Sequence, residues 1–224
     1  SDGYGDNTQG VTPDDCPTVS GTSTLDRLGC FDADEDGYSN ADSGWLFDDG
    51  ADSFPNDATQ WSDFDGDGFG DNWANDTWDD RKSSWPGEMV TDATSQDACP
   101  IRAGDSWRND TLGCPDADGD GWYDLMDAFM NDATQWEDSD MDGYGDNADI
   151  FPTNSDQWLD SDGDGYGDNS DGIDGDLFPE DNTQWLDSDK DSFGDNLNGT
   201  RGDSCPQQNG FSTIDRYGCP DTDL

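Results

Sequence analysis

Apolar residues in this chain fall at neither of the spacings that regular secondary structure needs. No 11-residue window sustains the 3.6-residue period of an amphipathic helix or the two-residue period of a half-buried strand. Gly, Asp, Asn and Pro interrupt every short apolar run, so turns should dominate, with at most a helical turn or two near the T-Q-W segments. The large apolar residues instead recur inside a fixed phrase, D-x-F-P-x-D-x-T-Q-W. Its copies are DSFPNDATQW (52–61), DAFMNDATQW (127–136), DIFPTNSDQW (149–158) and DLFPEDNTQW (176–185). Phe54 with Trp61, Phe129 with Trp136, Phe151 with Trp158 and Phe178 with Trp185 are expected to pack on neighbouring loops as miniature cores.

Between these spacers lies a second phrase, D-x-D-x-D-G-[YFW]-x-D, and self-similarity of this kind marks a repeat architecture. Counted to twelve positions, the loops are 32–43, 63–74, 116–127, 138–149, 160–171 and 187–198. Asn40 replaces Asp at position 9 of the first, and Ser192 replaces Gly at position 6 of the last. A third phrase is a cysteine unit, at 14–30, 97–114 and 203–219, each leading directly into an aspartate loop. Residues 1–224 therefore read as one array of small modules without a globular boundary.

Composition rules out a conventional core. Leu, Ile, Val and Phe number 27 of 224 residues, and the formal net charge is −48. A chain of that kind cannot bury enough apolar surface to offset the entropy of ordering its backbone. Ten Trp, ten Phe and six Tyr are nevertheless too many for a solvated acidic tail. The acidic residues are 52 Asp and only four Glu, and Asp is the short carboxylate of tight oxygen-ligand loops. There is no His and no C-x-x-C, which disfavours zinc. The six cysteines fall into three similarly spaced pairs, Cys16 with Cys30, Cys99 with Cys114 and Cys205 with Cys219. Local disulfides and an oxidising compartment are expected.

The loop chemistry points to calcium. In the loop beginning at Asp138, carboxylates stand at positions 1, 3, 5, 9 and 12 (Asp138, Asp140, Asp142, Asp146, Asp149), with Gly143 at the sharp turn and Tyr144 offering its carbonyl. Such a set gives six or seven hard oxygens in flexible geometry, which suits Ca²⁺ better than the smaller, strictly octahedral Mg²⁺. The other ligand sets are Asp32, Asp34, Asp36, Tyr38 and Asn40; Asp63, Asp65, Asp67, Phe69 and Asp71; and Asp116, Asp118, Asp120, Trp122, Asp124 and Asp127. Asp160, Asp162, Asp164, Tyr166, Asp168 and Asp171 form another, and Asp187, Asp189, Asp191, Phe193 and Asp195 the last. At least six Ca²⁺ per chain are expected, with Asp57, Asp132 and Asp181 as spare carboxylates for further ions. The flanks lack the amphipathic helices of an EF-hand.

Loops of the form D-x-D-x-D-G-x-x-D-x-x-D joined by short F-P and C-P spacers resemble thrombospondin type 3 repeats over essentially the whole chain. The T-Q-W spacing and the confinement of cysteines to three local pairs look more like a prokaryotic surface-protein version. The resemblance implies an irregular, mostly coil fold, an elongated array of calcium-wrapped repeats with local disulfides, secreted or on a cell surface. It implies a structural role rather than an enzymatic one, and no Ser or Cys with a basic partner suggests catalysis.

Partners follow from charge and from the half-loops at 1–9 and 221–224. A net charge of −48 disfavours nucleic acid and anionic membranes, and no apolar stretch is long enough for membrane insertion. Asp2, Tyr4 and Asp6 match positions 5, 7 and 9, while Asp221 and Asp223 match positions 1 and 3. This complementarity leads to an expectation of head-to-tail assembly of copies into a filament through a split calcium site. The alternative is a stalk or binding module of a larger adhesin. Sequons at Asn75, Asn109 and Asn198 make glycans candidate additions. Arg201-Gly202-Asp203 matches an adhesion tripeptide by chance, since the parallel cysteine units lack it.

Overall fold

Turns carry nearly all of this chain. The computed structural model describes residues 2–74, 78, 84–108 and 110–221. Among the described residues the helical element is one 3-10 turn, Phe47–Asp49, closed by Gly50 in the left-handed conformation (φ 103°). It is not part of a T-Q-W segment. There Asp57, Asp132 and Asp181 accept hydrogen bonds from the amide and hydroxyl of Thr59, Thr134 and Thr183, capping a turn instead of starting a helix. β-pairing is confined to isolated bridges, such as Asn40 with Asp52 and Gly167 with Gly175. The chain forms two compact units, Ser1–Asn131 and Asp132–Leu224. Three disulfides join Cys16 to Cys30, Cys99 to Cys114 and Cys205 to Cys219. The irregular, disulfide-linked fold expected from the pattern is the one observed.

The buried residues are mostly polar. Among the described residues the fully buried hydrophobic ones are Cys30, Ala51, Trp73, Ala93, Cys114 and Cys219, with no Leu, Ile, Val or Phe. Their place is taken by the glutamine of T-Q-W. Gln60, Gln157 and Gln184 are essentially inaccessible, and Gln135 is nearly so. Each Oε1 accepts the amide of the Asn that follows position 9 of the next loop: Asn72, Asn147, Asn169 or Asn196, at 3.0–3.1 Å. Those Asn side chains donate back to the carbonyls of Thr59, Thr134, Asp156 and Thr183. Nε2 of Gln60, Gln157 and Gln184 donates to two carbonyls each, and a buried amide matched in this way costs little and fixes register.

This clamp explains the second glycine of D-G-[YF]-G-D-N. A Cβ at Gly70, Gly145, Gly167 or Gly194 would overlap the Gln60, Gln135, Gln157 or Gln184 side chain. The Gly167→Ala substitution should therefore lower stability by about 1–3 kcal/mol, the usual cost of overpacking. Thermal unfolding beside the parent in the same buffer checks this.

Aromatic residues join four of the loops to the segment that follows. Position-7 tyrosines stack on the T-Q-W tryptophan: Tyr38 on Trp61 at 5.0 Å, Tyr144 on Trp158 at 4.9 Å and Tyr166 on Trp185 at 5.1 Å between centroids. In the last loop Phe193 meets Tyr217 of the cysteine unit instead, at 5.9 Å. Trp61, Trp158 and Trp185 thus pack locally on the loops, as expected of them.

Candidate metal centres

Each loop is closed by a bond from the amide of position 9 to the carbonyl just before position 1, as in Asp146 to Glu137 (2.9 Å) and Asp168 to Leu159 (2.8 Å). Inside the ring, backbone amides orient the carboxylates. Asp138 accepts from Met141 and Gly143, Asp140 from Asp142, and Asp142 from Tyr144. The loops starting at Asp32, Asp116 and Asp160 share this scheme, whereas in those starting at Asp63 and Asp187 the position-5 amide donates to position 1 instead of position 3. Positions 4 and 6 must take left-handed backbone for this, with φ 79° at Gly163 and 95° at Gly165. Ser192 adopts φ 75° at position 6 without the freedom of glycine.

In the loops starting at Asp32, Asp116, Asp138 and Asp160 these bonds occupy one oxygen of the carboxylates at positions 3 and 5 and leave the other bare, whereas Oδ2 of Asp67 and Asp191 accepts the amides of Gly104 and Gly210. Asp34, Asp36, Asp118, Asp120, Asp140, Asp142, Asp162 and Asp164 each bury an Oδ2 with no hydrogen-bond partner, and Asp65 and Asp189 bury both oxygens so. Candidate ligand atoms of positions 1, 3 and 5 lie within 4.8 Å of one another at Asp32–Asp34–Asp36, Asp63–Asp65–Asp67, Asp116–Asp118–Asp120, Asp138–Asp140–Asp142 and Asp160–Asp162–Asp164. Bare carboxylate oxygens crowded together out of water are unfavourable unless a cation sits among them.

A further carboxylate completes each site, and it comes from the spacer. The amide of the Asp that opens D-x-F-P or D-x-C-P donates to the carbonyl of loop position 8: Asp52 to Ser39, Asp97 to Gly70, Asp127 to Tyr123, Asp149 to Gly145, Asp176 to Gly167 and Asp203 to Gly194. Oδ1 of each accepts the amide two residues on, at 2.6–2.7 Å. Oδ2 of Asp52, Asp97, Asp149, Asp176 and Asp203 is left buried and unpartnered. The pairing is the same whether the intervening chain is as short as 146–149 or as long as 71–97.

Only part of the predicted ligand set converges in this way. Asp127 and Asp149 hold the twelfth-position role expected of them. Asp171 does not: it is exposed, and the insertion 171–175 hands its place to Asp176. Asp52, Asp97 and Asp203 have the same role and were not among the expected ligands. Position 9 mostly braces the loop. Asn40, Asp124, Asp146, Asp168 and Asp195 accept the amide of position 2, and the last three also take the hydroxyl of Ser139, Ser161 and Ser188. Asp71 is the exception at position 9, buried with both oxygens bare. The spare carboxylate Asp57 is taken up by Thr59 and Thr94.

At the chain's start, Asp2 accepts from Tyr4 (3.1 Å), and Asp14 donates to Gly5 and accepts from Cys16, reproducing the second half of a loop. Asp6 is exposed there. Asp221 is partly buried, whereas Asp223, Asn75 and Asn109 lie outside the described residues. Asn198 is exposed. Asp203 is 1% exposed, so the Arg201-Gly202-Asp203 tripeptide does not present its carboxylate to a receptor.

Burial, with added repulsion from Asp67, Asp65 and Asp71, pushes Asp97 up to about 8 against the opposing amide of Cys99. Burial and the carboxylates of Asp36, Asp34 and Asp32 raise Asp52 to about 7. Asp36, Asp65 and Asp176 rise to about 6, again chiefly through burial. Raised folded-state values stabilise the cation-free fold below the unfolded value of about 3.9, and that stability is lost as pH climbs through about 6 to 8. Cation-free protein should keep the near-ultraviolet dichroism of its Tyr–Trp stacks at pH 4–5 and lose it by pH 8. With cation bound the dependence inverts, because protons compete for the same oxygens.

No family model matches the chain, and no curated protein matches it. Several aspartate clusters in this fold could hold metal ions. Among the described residues no helix is long and apolar enough to cross a membrane.

Proposed function

We propose that this chain is a calcium-stabilised extracellular structural protein of the thrombospondin type 3 repeat kind, in which each loop binds Ca²⁺. The observation that carries the reading is the convergence of buried, unpartnered carboxylate oxygens from loop position 3, from position 5 of four loops and from the spacer Asp of five. All donors are hard oxygens on short side chains, the set calcium prefers. Positions 1, 3 and 5 and the spacer Asp (Asp160, Asp162, Asp164 and Asp176 in the fifth loop) would hold the ion. The bound ion supplies the positive charge that lets these carboxylates stay ionised out of water. Three disulfides fit the oxidising conditions outside a cell. Native mass spectrometry in millimolar calcium should find at least six ions per chain; fewer than five would defeat the reading.

The proposed assembly is head to tail. Asp2, Tyr4 and Asp14 already make the bonds of a loop's second half. Asp221 and Asp223 of a second copy would supply positions 1 and 3. A preceding stretch of a longer chain would supply them equally well in a surface stalk. Sedimentation of the protein lacking residues 221–224 separates these cases, since calcium-dependent association that survives the deletion excludes the split site.

A further inference from the structure

The loops differ in what completes them. Within Asp132–Leu224, the loops starting at Asp138 and Asp160 take Asp149 and Asp176 from D-x-F-P spacers, whereas the loop starting at Asp187 takes Asp203 from a cysteine unit. That unit meets these carboxylates three times, twice at its own Asp203 and once at Asp191 of the loop. The amide of Cys205 donates to Asp203 Oδ1 at 2.6 Å. The amide of Gly210, inside the disulfide ring, donates to Asp191 Oδ2 at 2.9 Å. Gly218, next to Cys219 and at φ 70°, lies so close that a Cβ there would overlap the Asp203 carboxylate.

The unit from Asp97 repeats the arrangement. Cys99 donates to Asp97 Oδ1 at 2.6 Å, Gly104 donates to Asp67 Oδ2 at 3.0 Å, and a Cβ on Gly113 would overlap Asp97. Both ends of each disulfide therefore abut the unit's own opening aspartate, and a glycine between them donates to position 5 of the preceding loop. The first cysteine does so through its own amide and the second through the glycine before it. Closing the ring holds two donors on two different carboxylates at once, and such preorganisation is lost when the ring opens.

We propose that the cysteine units position the carboxylates of the loops they follow, making the calcium sites starting at Asp63 and Asp187 sensitive to thiol reduction while those starting at Asp138 and Asp160 are not. The proposal rests on the calcium reading above. A dithiol reductant opens Cys205–Cys219 by passing two electrons and two protons to the two sulfurs, leaving two thiols here and a cyclic disulfide on the reductant. Linkage makes the effect reciprocal, so bound calcium protects these two disulfides from reduction.

The test is a calcium titration of the full chain followed at three amides by nuclear magnetic resonance. Gly143, Gly165 and Ser192 each donate to the position-1 carboxylate of a separate loop. In the C205S/C219S variant the midpoint at Ser192 should rise by about tenfold, the scale of losing a partner that orients a metal ligand. Gly143 and Gly165 should stay within about twofold. Reduction of the parent by a dithiol should act alike, and G218A should give the same selective loss with its disulfide intact. An unchanged Ser192 midpoint, or equal weakening at all three amides, overturns the proposal. Absence of any calcium response in the parent overturns the calcium reading itself, which is a different result.

Discussion

Chelating calcium at pH 7.5 should convert the chain into a coil tethered only by its three disulfides. The Tyr–Trp stacking signals should vanish, and the hydrodynamic radius should rise towards that of an unfolded chain. Among the described residues no apolar core is large enough to hold it. The fully buried apolar residues among those described include no Leu, Ile, Val or Phe, so area burial contributes little. The net charge of −48 opposes any compact state once the cations leave. By contrast, one ion at a hundred times its dissociation constant adds about 2.7 kcal/mol, and several together match the roughly 5–15 kcal/mol of an ordinary domain. Circular dichroism and small-angle scattering before and after EGTA check this. Profiles that coincide would remove calcium from any role in folding.

Acid should partly substitute for the ion. Asp97, raised to about 8, and Asp52, raised to about 7, can be neutral at pH 5 in the folded state, which relieves the crowding that calcium otherwise relieves. A chelated sample should therefore regain some aromatic dichroism on acidification. Ordinary acid denaturation has the opposite sign.

Much of this was legible because the phrases repeat. D-x-D-x-D-G defines positions 1 to 6 almost alone, since the carboxylates bond to amides two to five residues away and need no tertiary information. The cysteine pairs were legible for the same reason, their partners being local. Position 9 is harder to read, because in three loops a serine at position 2 shares its oxygens, as Ser161 does at Asp168. The polar core went unseen. A fully buried glutamine looks like surface in any composition argument, and only the second glycine of G-D-N, which makes room for it, hinted otherwise.

Counting twelve residues from the loop start was the error at Asp171, and it yields the most discriminating mutation. Asp176→Asn should weaken calcium at the loop starting at Asp160 by about a hundredfold or more, beyond the loss typical of a merely orienting partner. Asp171→Asn should leave that loop within about twofold. Distance along the chain favours Asp171, but the bonds favour Asp176: its amide meets Gly167 at 2.7 Å, its Oδ1 accepts from Phe178 at 2.6 Å, and its Oδ2 is buried and bare. Repulsion from Asp164, Asp162 and Asp168 adds to the burial that lifts its pKa to about 6, which ties it to this loop's carboxylates. Asp171 is exposed, and its amide caps Asn169 within the insertion. The Gly165 amide, bonded to Asp160 at 2.9 Å, reports the titration for both variants. Were Asp171→Asn the damaging change and Asp176→Asn the silent one, the spacer aspartate would lose its place as the completing ligand in all six loops.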